Sequence, residues 1–374
     1  MTRELLGGIT PQRFLAEYWQ KKPLLIRQAI PGFTGVVELD ELFDLACDED
    51  VESRLIRHTD DGWQVSRGPQ KRSTLKRRKQ AWTVLVQGLN LWVREADALL
   101  HRFDFIPQAR LDDLMVSYAT DGGGIGAHFD SYDVFLLQGF GQRHWRISDQ
   151  SEHRLVEDAP LKLIADFHPT EEWVLEPGDM LYLPPRYAHE GTAIGECTTY
   201  SIGFRAPSAQ ELGSEFLGWL AERVELPGMY ADPDLALQDN SAAIPPTMVE
   251  RVAGMLDAIR WGRDDVADFL GHYLSEPKPS VFFVAPDEPL SRRQFDAAVA
   301  AHGFVLDPAT LLLIHDALFY LNGERIETSA AAHATLARLA HARRIDAAAA
   351  GADALPSLYE MYLSGFGQPE IDED

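Results

Sequence analysis

Cysteine is almost absent from this chain of 374 residues, which contains only Cys47 and Cys197. Two cysteines are too few for a disulfide framework or a thiolate zinc site, so any bound metal must use histidine and carboxylate ligands. No segment approaches the roughly 18 uninterrupted apolar residues of a membrane span. Residues 1–8 include Arg3 and Glu4 and lack the apolar core of a signal peptide. These absences predict a cytoplasmic protein.

Basic residues are also scarce, with 34 lysines and arginines against 58 aspartates and glutamates and a formal charge of −24. Such a field repels nucleic acid and attracts basic proteins or peptides. An acidic balance more commonly serves solubility, so the charge alone does not establish a basic partner. Direct binding of nucleic acid and of membranes is not expected.

Hydrophobic periodicity predicts an α+β protein whose first part, residues 1–206, is rich in strands. Thr10-Pro11 predicts the start of a helix, and Pro23–Arg27 has the character of a strand. From about residue 111, short β-type runs alternate with glycine and proline turns, which is typical of a sandwich or barrel. These runs are Leu114–Tyr118, Val134–Gln138, His144–Ile147, Trp173–Leu175, Met180–Leu183 and Thr198–Ile202.

The strands stop after Pro207, and residues 207–276 have helical periodicity. Helices are predicted over Ala209–Glu225 and Thr247–Ser275, each with one apolar face. Amphipathic helices without a sheet to cover need another surface, which predicts a homodimer formed through this region.

Residues 277–374 predict a small separate domain. Ser291–His302 has the pattern of a helix, Pro308–His315 suggests another, and Leu318–Ile326 predicts a hairpin on an Asn-Gly turn. Helix, helix and hairpin resemble a winged helix. Many such domains bind DNA, but residues 276–374 contain 7 lysines and arginines against 15 aspartates and glutamates, a net charge of −8. A structural role is therefore favoured.

The segment Gly122–Asp130 carries the strongest chemical signal. His128 and Asp130 are two residues apart, so on a strand both side chains point to one face. His189, after a turn rich in proline and glycine, can join them from a distant strand. Two imidazoles and one carboxylate form a facial triad, which suits Fe(II) and leaves three open positions. Asp133 is a competing carboxylate, but its odd spacing from His128 turns it to the opposite face.

An isolated His-x-Asp pair usually has no metal, and here the β-rich context and His189 decide in its favour. His144, His153 and His168 are interpreted as surface or core polar groups. A 2-oxoacid cosubstrate would also need a cation deep in the barrel. Arg143 has the geometry for a carboxylate and Ser117 is the best-placed hydroxyl, although a turn-flanking arginine and a strand serine are the ordinary interpretations.

Taken together, these residues resemble the JmjC-type ribosomal oxygenases. The motifs that carry the resemblance are Phe14–Arg27, His128–Asp130, Val134–Gly139, Arg143–Trp145, Pro177–Asp179, Leu183–Pro185, His189 and Ser201–Pro207. The resemblance extends over essentially the whole chain, including the helical region and the winged-helix-like end. The resemblance implies a double-stranded β-helix (a jelly-roll, cupin-like JmjC barrel), a helical dimerisation region and a C-terminal winged-helix-like domain.

The resemblance also implies roles for individual residues. His128, Asp130 and His189 would bind iron, and Arg143 and Ser117 would bind 2-oxoglutarate, with a weaker assignment for Thr199. Many eukaryotic relatives have a lysine where Arg143 stands, so the arginine agrees with the bacterial branch. That branch hydroxylates an arginine side chain of a protein of the large ribosomal subunit.

A basic ribosomal protein would suit the acidic charge of this chain, and Asp121 is a candidate contributor to an acidic barrel mouth. One departure is the cluster Lys71–Lys79, six cations in nine residues, for which a solvated loop is favoured over contact with ribosomal RNA. Three alternatives remain: an N-methyl demethylase of the same class, a metal cupin without 2-oxoglutarate, and a silent ribosome-binding module. Arg143 counts against the cupin, and the intact triad counts against the silent module.

Overall fold

The structure, a computed structural model, describes residues 5–59, 62–76, 80–152 and 154–371. The contacts divide the chain into two compact units. The first comprises Met1–Ala206, Pro279–Phe283 and Asp307–Ala309, and the second comprises Pro207–Lys278, Val284–Leu306 and Thr310–Asp374. The first unit carries the predicted metal ligands.

The first unit contains an eight-stranded antiparallel sheet in the order β1-β9-β6-β11-β5-β4-β2-β3. Its strands are β1 (Leu24–Ile26), β2 (Ser53–Thr59), β3 (Gly62–Arg67), β4 (Trp82–Val86), β5 (Leu111–Ala119), β6 (Val134–Gln138), β9 (Met180–Leu183) and β11 (Cys197–Phe204). A second sheet has the order β10-β7-β8, with β7 (Gln142–Ser148), β8 (Glu171–Leu175) and β10 (Ala188–Ile194). All the strands predicted between residues 111 and 206 are present.

Alternation along the strands of the large sheet separates two apolar layers. On β6, Phe135 and Leu137 belong to the large core, whereas Val134 and Leu136 pack with Trp145 and other side chains of the small sheet. The two sheets therefore face each other across an interior layer, as in a jelly-roll barrel. The interior face of β6 continues to Gln138, at the end of the strand.

Helices cover the other face of the large sheet. They are α1 (Pro11–Glu17), α2 (Leu39–Cys47), α3 (Arg72–Leu75) and α4 (Arg94–Leu100). The predicted start of α1 is confirmed, because the Thr10 hydroxyl accepts a hydrogen bond from the Arg13 backbone N–H at 3.2 Å. Phe14 of α1 is fully buried in the large core against Phe135 and Tyr182.

The second unit begins with α5 (Ala209–Ala221), α6 (Pro246–Leu256) and α7 (Arg263–Ser275). The prediction of one helix over Thr247–Ser275 is wrong, because the chain breaks between Leu256 and Arg263. Gly262 has an extended conformation there, and its N–H donates to the Asp265 side chain at 2.7 Å, which starts a new helix.

The rest of the second unit is a small α/β fold. It contains α8 (Arg292–His302), β12 (Phe304–Leu306), β13 (Leu312–His315), β14 (Leu318–Leu321), β15 (Glu324–Ile326), α9 (His333–Ala342), β16 (Arg344–Ile345), α10 (Leu355–Leu363) and β17 (Gly367–Pro369). The hairpin on Asn322-Gly323 is confirmed by the pairing of β14 with β15. The helix suggested over Pro308–His315 is wrong, because Leu312–His315 pairs with β14 as a third strand. Among the described residues, no helix is long and apolar enough to cross a membrane.

Candidate metal centre

The structure brings His128, Asp130 and His189 together inside the first unit. One potential ligand atom from each side chain lies within 4.8 Å of the other two. The two histidines are held in register by reciprocal backbone hydrogen bonds of 2.9 and 2.8 Å between the loop before β6 and the start of β10. The Asp130 carboxylate lies 3.7 Å from Nε2 of His189. This spacing suits a single metal ion bound by two imidazoles and one carboxylate.

Each histidine of the triad uses its second ring nitrogen in the same way. Nδ1 of His128 donates to the Gly126 carbonyl, and Nδ1 of His189 donates to the Tyr187 carbonyl, both at 2.9 Å. A carbonyl can only accept, so the proton lies on Nδ1 and the Nε2 lone pair faces the triad in the neutral ring. Hydrogen bonds of this kind orient metal-binding histidines.

Electrostatics also favours a neutral ring at His189. Burial, followed by the neighbouring His128, lowers the pKa of His189 well below its ordinary value. Asp130 and the hydrogen bond to Tyr187 act in the opposite direction but do not outweigh burial. A neutral imidazole is the form that binds a metal ion.

Asp133, the competing carboxylate, lies outside this cluster. It is completely buried and accepts hydrogen bonds from the Tyr182 hydroxyl at 2.6 Å and from the Gln20 amide at 2.9 Å. A guanidinium nitrogen of Arg110 lies 3.5 Å away. Burial, followed by the hydrogen bond to Asp133, raises the pKa of Tyr182 above its usual range. Asp133 therefore ties the N-terminal segment to the barrel.

Arg143 lies on β7, and the residue is only 2% exposed. Arg143 and Trp145 are two residues apart on this strand, so both side chains point into the interior layer. Nε and Nη2 of Arg143 have no hydrogen-bond partner among the described residues. A buried guanidinium is costly unless its N–H groups are paired, and a carboxylate is its best bidentate partner. The position therefore suits the distal carboxylate of a bound 2-oxoacid.

Ser117 and Thr199 lie directly opposite each other on β5 and β11. Their neighbours Val116 and Tyr200 belong to the large core on the outer face, so Ser117 and Thr199 face the interior. The Ser117 hydroxyl is 3.4 Å from the Thr199 carbonyl. The sequence alone could not provide this register, because it depends on pairing between strands some 80 residues apart.

Gln138 is an interior residue that the sequence analysis did not assign to the site. It lies opposite Thr199 on the neighbouring strand, and its side-chain oxygen accepts from the Thr199 hydroxyl at 3.1 Å. Its amide nitrogen donates to the carbonyls of Phe140 and Gly141, both at 3.3 Å, so its orientation is fixed. The period-two pattern of Val134, Leu136 and Gln138 is the signal that could have placed it.

The other candidate residues lie apart from the triad. Asp121 accepts from the Gly195 N–H at 2.8 Å and braces a turn. His144 pairs with Glu172 at 3.3 Å, and His168 is exposed, as predicted for surface groups, whereas His153 lies outside the described residues.

The basic cluster is only partly described, because residues 77–79 lie outside the described ranges. Within it, Arg72 is tied to the acidic face of α2 by contacts of 2.6 Å with Asp40 and with Asp44. Lys71 and Lys76 are exposed.

Comparison with known proteins gives family matches for both units. The JmjC domain model matches residues 98–212, and the ROXA-like winged helix model matches residues 258–368. The chain is 35% identical over 325 residues to the ribosomal protein uL16 3-hydroxylase of Escherichia coli K12, covering 84% of this chain and 85% of that protein. It is 36% identical over 318 residues to a probable ribosomal oxygenase of Haemophilus influenzae, covering 83% of this chain and 76% of that protein.

Solved structures agree over nearly the whole chain. The X-ray structure of E. coli ycfD superposes with a TM-score of 0.84 at 31% identity, covering 96% of this chain and 98% of that chain. A structure of the same E. coli ribosomal oxygenase in complex with cobalt and 2-oxoglutarate has a TM-score of 0.81, with the same identity and coverage.

The fold and the two matched domains define a cupin-like JmjC barrel followed by a winged helix. Because it is 35% identical to the uL16 hydroxylase over an alignment that covers most of both proteins, the chain belongs to the JmjC-type ribosomal oxygenases.

Proposed function

We propose that this protein is an Fe(II)- and 2-oxoglutarate-dependent oxygenase that hydroxylates an arginine side chain of a large-subunit ribosomal protein. The observation that carries the proposal is the pairing of two features on one interior face. A cluster of two histidines and one aspartate lies near the start of β10. On the neighbouring strand β7 lies the buried guanidinium of Arg143, of which Nε and Nη2 have no hydrogen-bond partner among the described residues. A metal cupin without a 2-oxoacid has no need of such a cation.

The residues present fit both groups. His128, Asp130 and His189 would hold the iron through two Nε2 atoms and a carboxylate. Arg143 would pair with the distal carboxylate of 2-oxoglutarate, with Ser117 and Thr199 on the facing sheet as polar neighbours. When bound, iron with 2-oxoglutarate and dioxygen supplies the oxidant that inserts one oxygen atom into a C–H bond and leaves succinate and carbon dioxide. Arg143 and His189 are buried, which would limit access of water on their side of the site, whereas His128 and Asp130 are half-buried.

The substrate assignment rests on the relatives and on charge. The E. coli relative is named for hydroxylation of the ribosomal protein uL16, and we propose the equivalent protein as the substrate here. The formal charge of −24 would favour encounter with a basic ribosomal protein. Arginine as the modified residue follows from the resemblance to the bacterial branch, and a ribosomal substrate agrees with the expected cytoplasmic location.

Residues 207–276 are proposed to form a homodimer interface. Several large apolar side chains of α5, α6 and the following loop are more than half exposed, including Leu217 at 62%, Val249 at 58% and Trp261 at 59%. Pairing with a second copy would cover them. The molar mass from light scattering checks this, and a value equal to one chain at micromolar concentration would contradict it.

One experiment separates hydroxylation from its alternatives. Iron-loaded protein is incubated with 2-oxoglutarate and uL16 peptides in plain and arginine-methylated forms, and the products are analysed by mass spectrometry, with His128→Ala as the control. The proposal is supported if the wild-type enzyme adds one oxygen atom to an arginine of the peptide and the His128→Ala variant does not. Loss of a methyl group would favour a demethylase, and no succinate with the metal bound would favour a cupin or a silent binding module.

A further inference from the structure

Gly126 lies where the hairpin of β2 and β3 reaches the metal-binding loop. A Cβ atom built on this glycine would lie 2.8 Å from Cζ2 of Trp63 and 3.1 Å from Cδ2 of Leu163. Its φ of +89° is also a conformation that L side chains rarely adopt. The indole and the leucine therefore pack directly on the backbone of Gly126, with no room for a side chain between them.

The carbonyl of the same glycine orients a proposed metal ligand. It accepts the hydrogen bond from Nδ1 of His128 at 2.9 Å, which fixes the plane and the tautomer of that imidazole. The next carbonyl, that of Ala127, accepts from the Ile164 N–H at 2.8 Å. The segment around Leu163 thus contacts this loop through a backbone hydrogen bond as well as the Leu163 side chain, whereas the hairpin contacts Gly126 through the side chain of Trp63.

Trp63 is itself held by its own hairpin. It lies directly opposite His58, and the two rings stack with centroids 4.5 Å apart and an interplanar angle of 30°. The strands β2 and β3 end the eight-stranded sheet, so this contact connects the edge of the sheet to the centre of the barrel. The position of the indole does not depend on the loop alone.

We propose that Trp63 is a positioning residue for the metal centre. Its indole holds the backbone of Gly126 in the conformation that aims the carbonyl at Nδ1 of His128, which presents Nε2 to the metal. This inference rests on the proposed metal site and adds a residue 65 positions before the first ligand, with no ligand atom of its own. Removal of the partners that orient a ligand typically weakens metal affinity by about 10- to 100-fold.

The test measures binding of cobalt alone, by titration of the metal-free protein with Co(II) followed by visible absorption. Trp63→Ala is expected to raise the dissociation constant about tenfold and to change the cobalt spectrum. Trp92→Ala is the matched control, since Trp92 is 47% exposed and belongs to a different turn. Thermal unfolding of the metal-free variants shows whether each one is folded.

A second variant keeps the test decisive if Trp63→Ala does not fold. Trp63→Phe retains an aromatic ring beside His58 but withdraws Cζ2 and Cη2, the atoms nearest Gly126. A several-fold weaker cobalt affinity supports the proposal. The proposal is overturned if both folded variants bind cobalt with wild-type affinity and spectrum. If Trp63→Ala does not fold, the same result for Trp63→Phe overturns it. A lower Tm would not rescue the proposal, because Trp63 would then contribute to packing only. If the wild-type protein binds no cobalt, the metal site itself fails, and with it this inference.

Discussion

The two ends of the proposed site differ in how far the protein satisfies its own polar groups. At the metal end, both histidines already donate from Nδ1 to backbone carbonyls, and the Asp130 carbonyl accepts from the Arg186 N–H at 2.6 Å. At the other end, two nitrogen atoms of the buried Arg143 guanidinium find no partner in the described parts of the chain.

The difference indicates two ways of preparing a site. The two histidine ligands are oriented in advance, so their rings need little reorganisation when the ion binds. The guanidinium is buried at a cost on the order of several kcal/mol that a carboxylate from a small molecule would offset. The protein without cosubstrate is therefore less stable because of the cosubstrate end, and substitutions at the two ends should have different effects.

The largest effect is expected from a comparison of the two neighbouring aspartates. Asp130→Asn should abolish turnover and weaken Co(II) binding by at least about 100-fold, because a carboxylate ligand is lost. Asp133→Asn should keep cobalt binding but lower the free energy of unfolding by about 1–3 kcal/mol, because Tyr182 and Arg110 lose a charged partner. Calorimetric cobalt titration and urea unfolding measure the two quantities. Loss of metal binding in Asp133→Asn with retention in Asp130→Asn would reverse the assignment of the carboxylate ligand.

That pair also shows what the sequence could predict. The choice between Asp130 and Asp133 followed from strand alternation, which places residues two apart on one face and residues an odd number apart on opposite faces. The structure keeps Asp130 beside His189 and turns Asp133 to Tyr182. The expected strand is absent, however: His128 forms an isolated bridge with His189, the chain bends at Ser131-Tyr132, and β6 begins only at Val134. The bend in the loop, and not alternation along a strand, separates the two carboxylates.

Features that depend on distant partners could not be predicted in this way. Trp63 and Gly126 are brought together by the sheet edge, and neither residue has a pattern that indicates the other. The strand Leu312–His315 is too short for its period to distinguish strand from helix, and its pairing with β14 decides. The break before Arg263 includes Gly262, but Gly254 and Gly271 lie inside helices of the same segment, so a glycine in the sequence does not by itself predict where the helix ends.

Arg143→Met tests the cosubstrate end. The KM for 2-oxoglutarate should rise by about a hundredfold, because two charge-assisted hydrogen bonds are lost. Without 2-oxoglutarate, the variant should unfold at the same Tm as the wild type or at a higher one, since a buried unpaired charge is replaced by an apolar chain of similar length. Calorimetry with and without 2-oxoglutarate measures the shift in Tm.

The control for this prediction is Arg154→Met, which removes a 70% exposed arginine paired with Asp166. It should leave both the KM and the stabilisation by 2-oxoglutarate unchanged. Arg143→Met could instead lower the Tm of the protein without cosubstrate by as much as the loss of a typical buried ion pair does. The guanidinium would then have a structural partner, and the contrast between the two ends would be wrong.

Asp179 is a buried charged residue that, unlike Arg143, has several hydrogen-bond partners. Its substitution is the last and smallest of the predicted effects, and it concerns stability alone. Its carboxylate accepts from the backbone N–H groups of Gln28 and Glu176 and lies 2.5 Å from Arg27. Burial alone would raise the pKa of Asp179, but these hydrogen bonds outweigh it and hold the pKa below its ordinary value. The fold therefore favours the ionised form of Asp179. Arg143 differs, because two of its guanidinium nitrogens have no hydrogen-bond partner among the described residues and its charge lies over the Trp145 ring, 5.7 Å from the centroid.

Asp179→Asn should lower the free energy of unfolding by about 1–3 kcal/mol at neutral pH. Because the folded pKa is depressed, this contribution is fully present above the unfolded pKa of about 3.9 and disappears as the pH falls through the folded value. Urea unfolding between pH 7 and pH 3 should show the wild type and the variant converging only at the acid end. Asp40→Asn, at an exposed ion pair with Arg72, should change stability by less than about 1 kcal/mol. If the difference in the free energy of unfolding between the wild type and Asp179→Asn stays constant down to pH 3, the hydrogen bonds of Asp179, and not its charge, stabilise the fold.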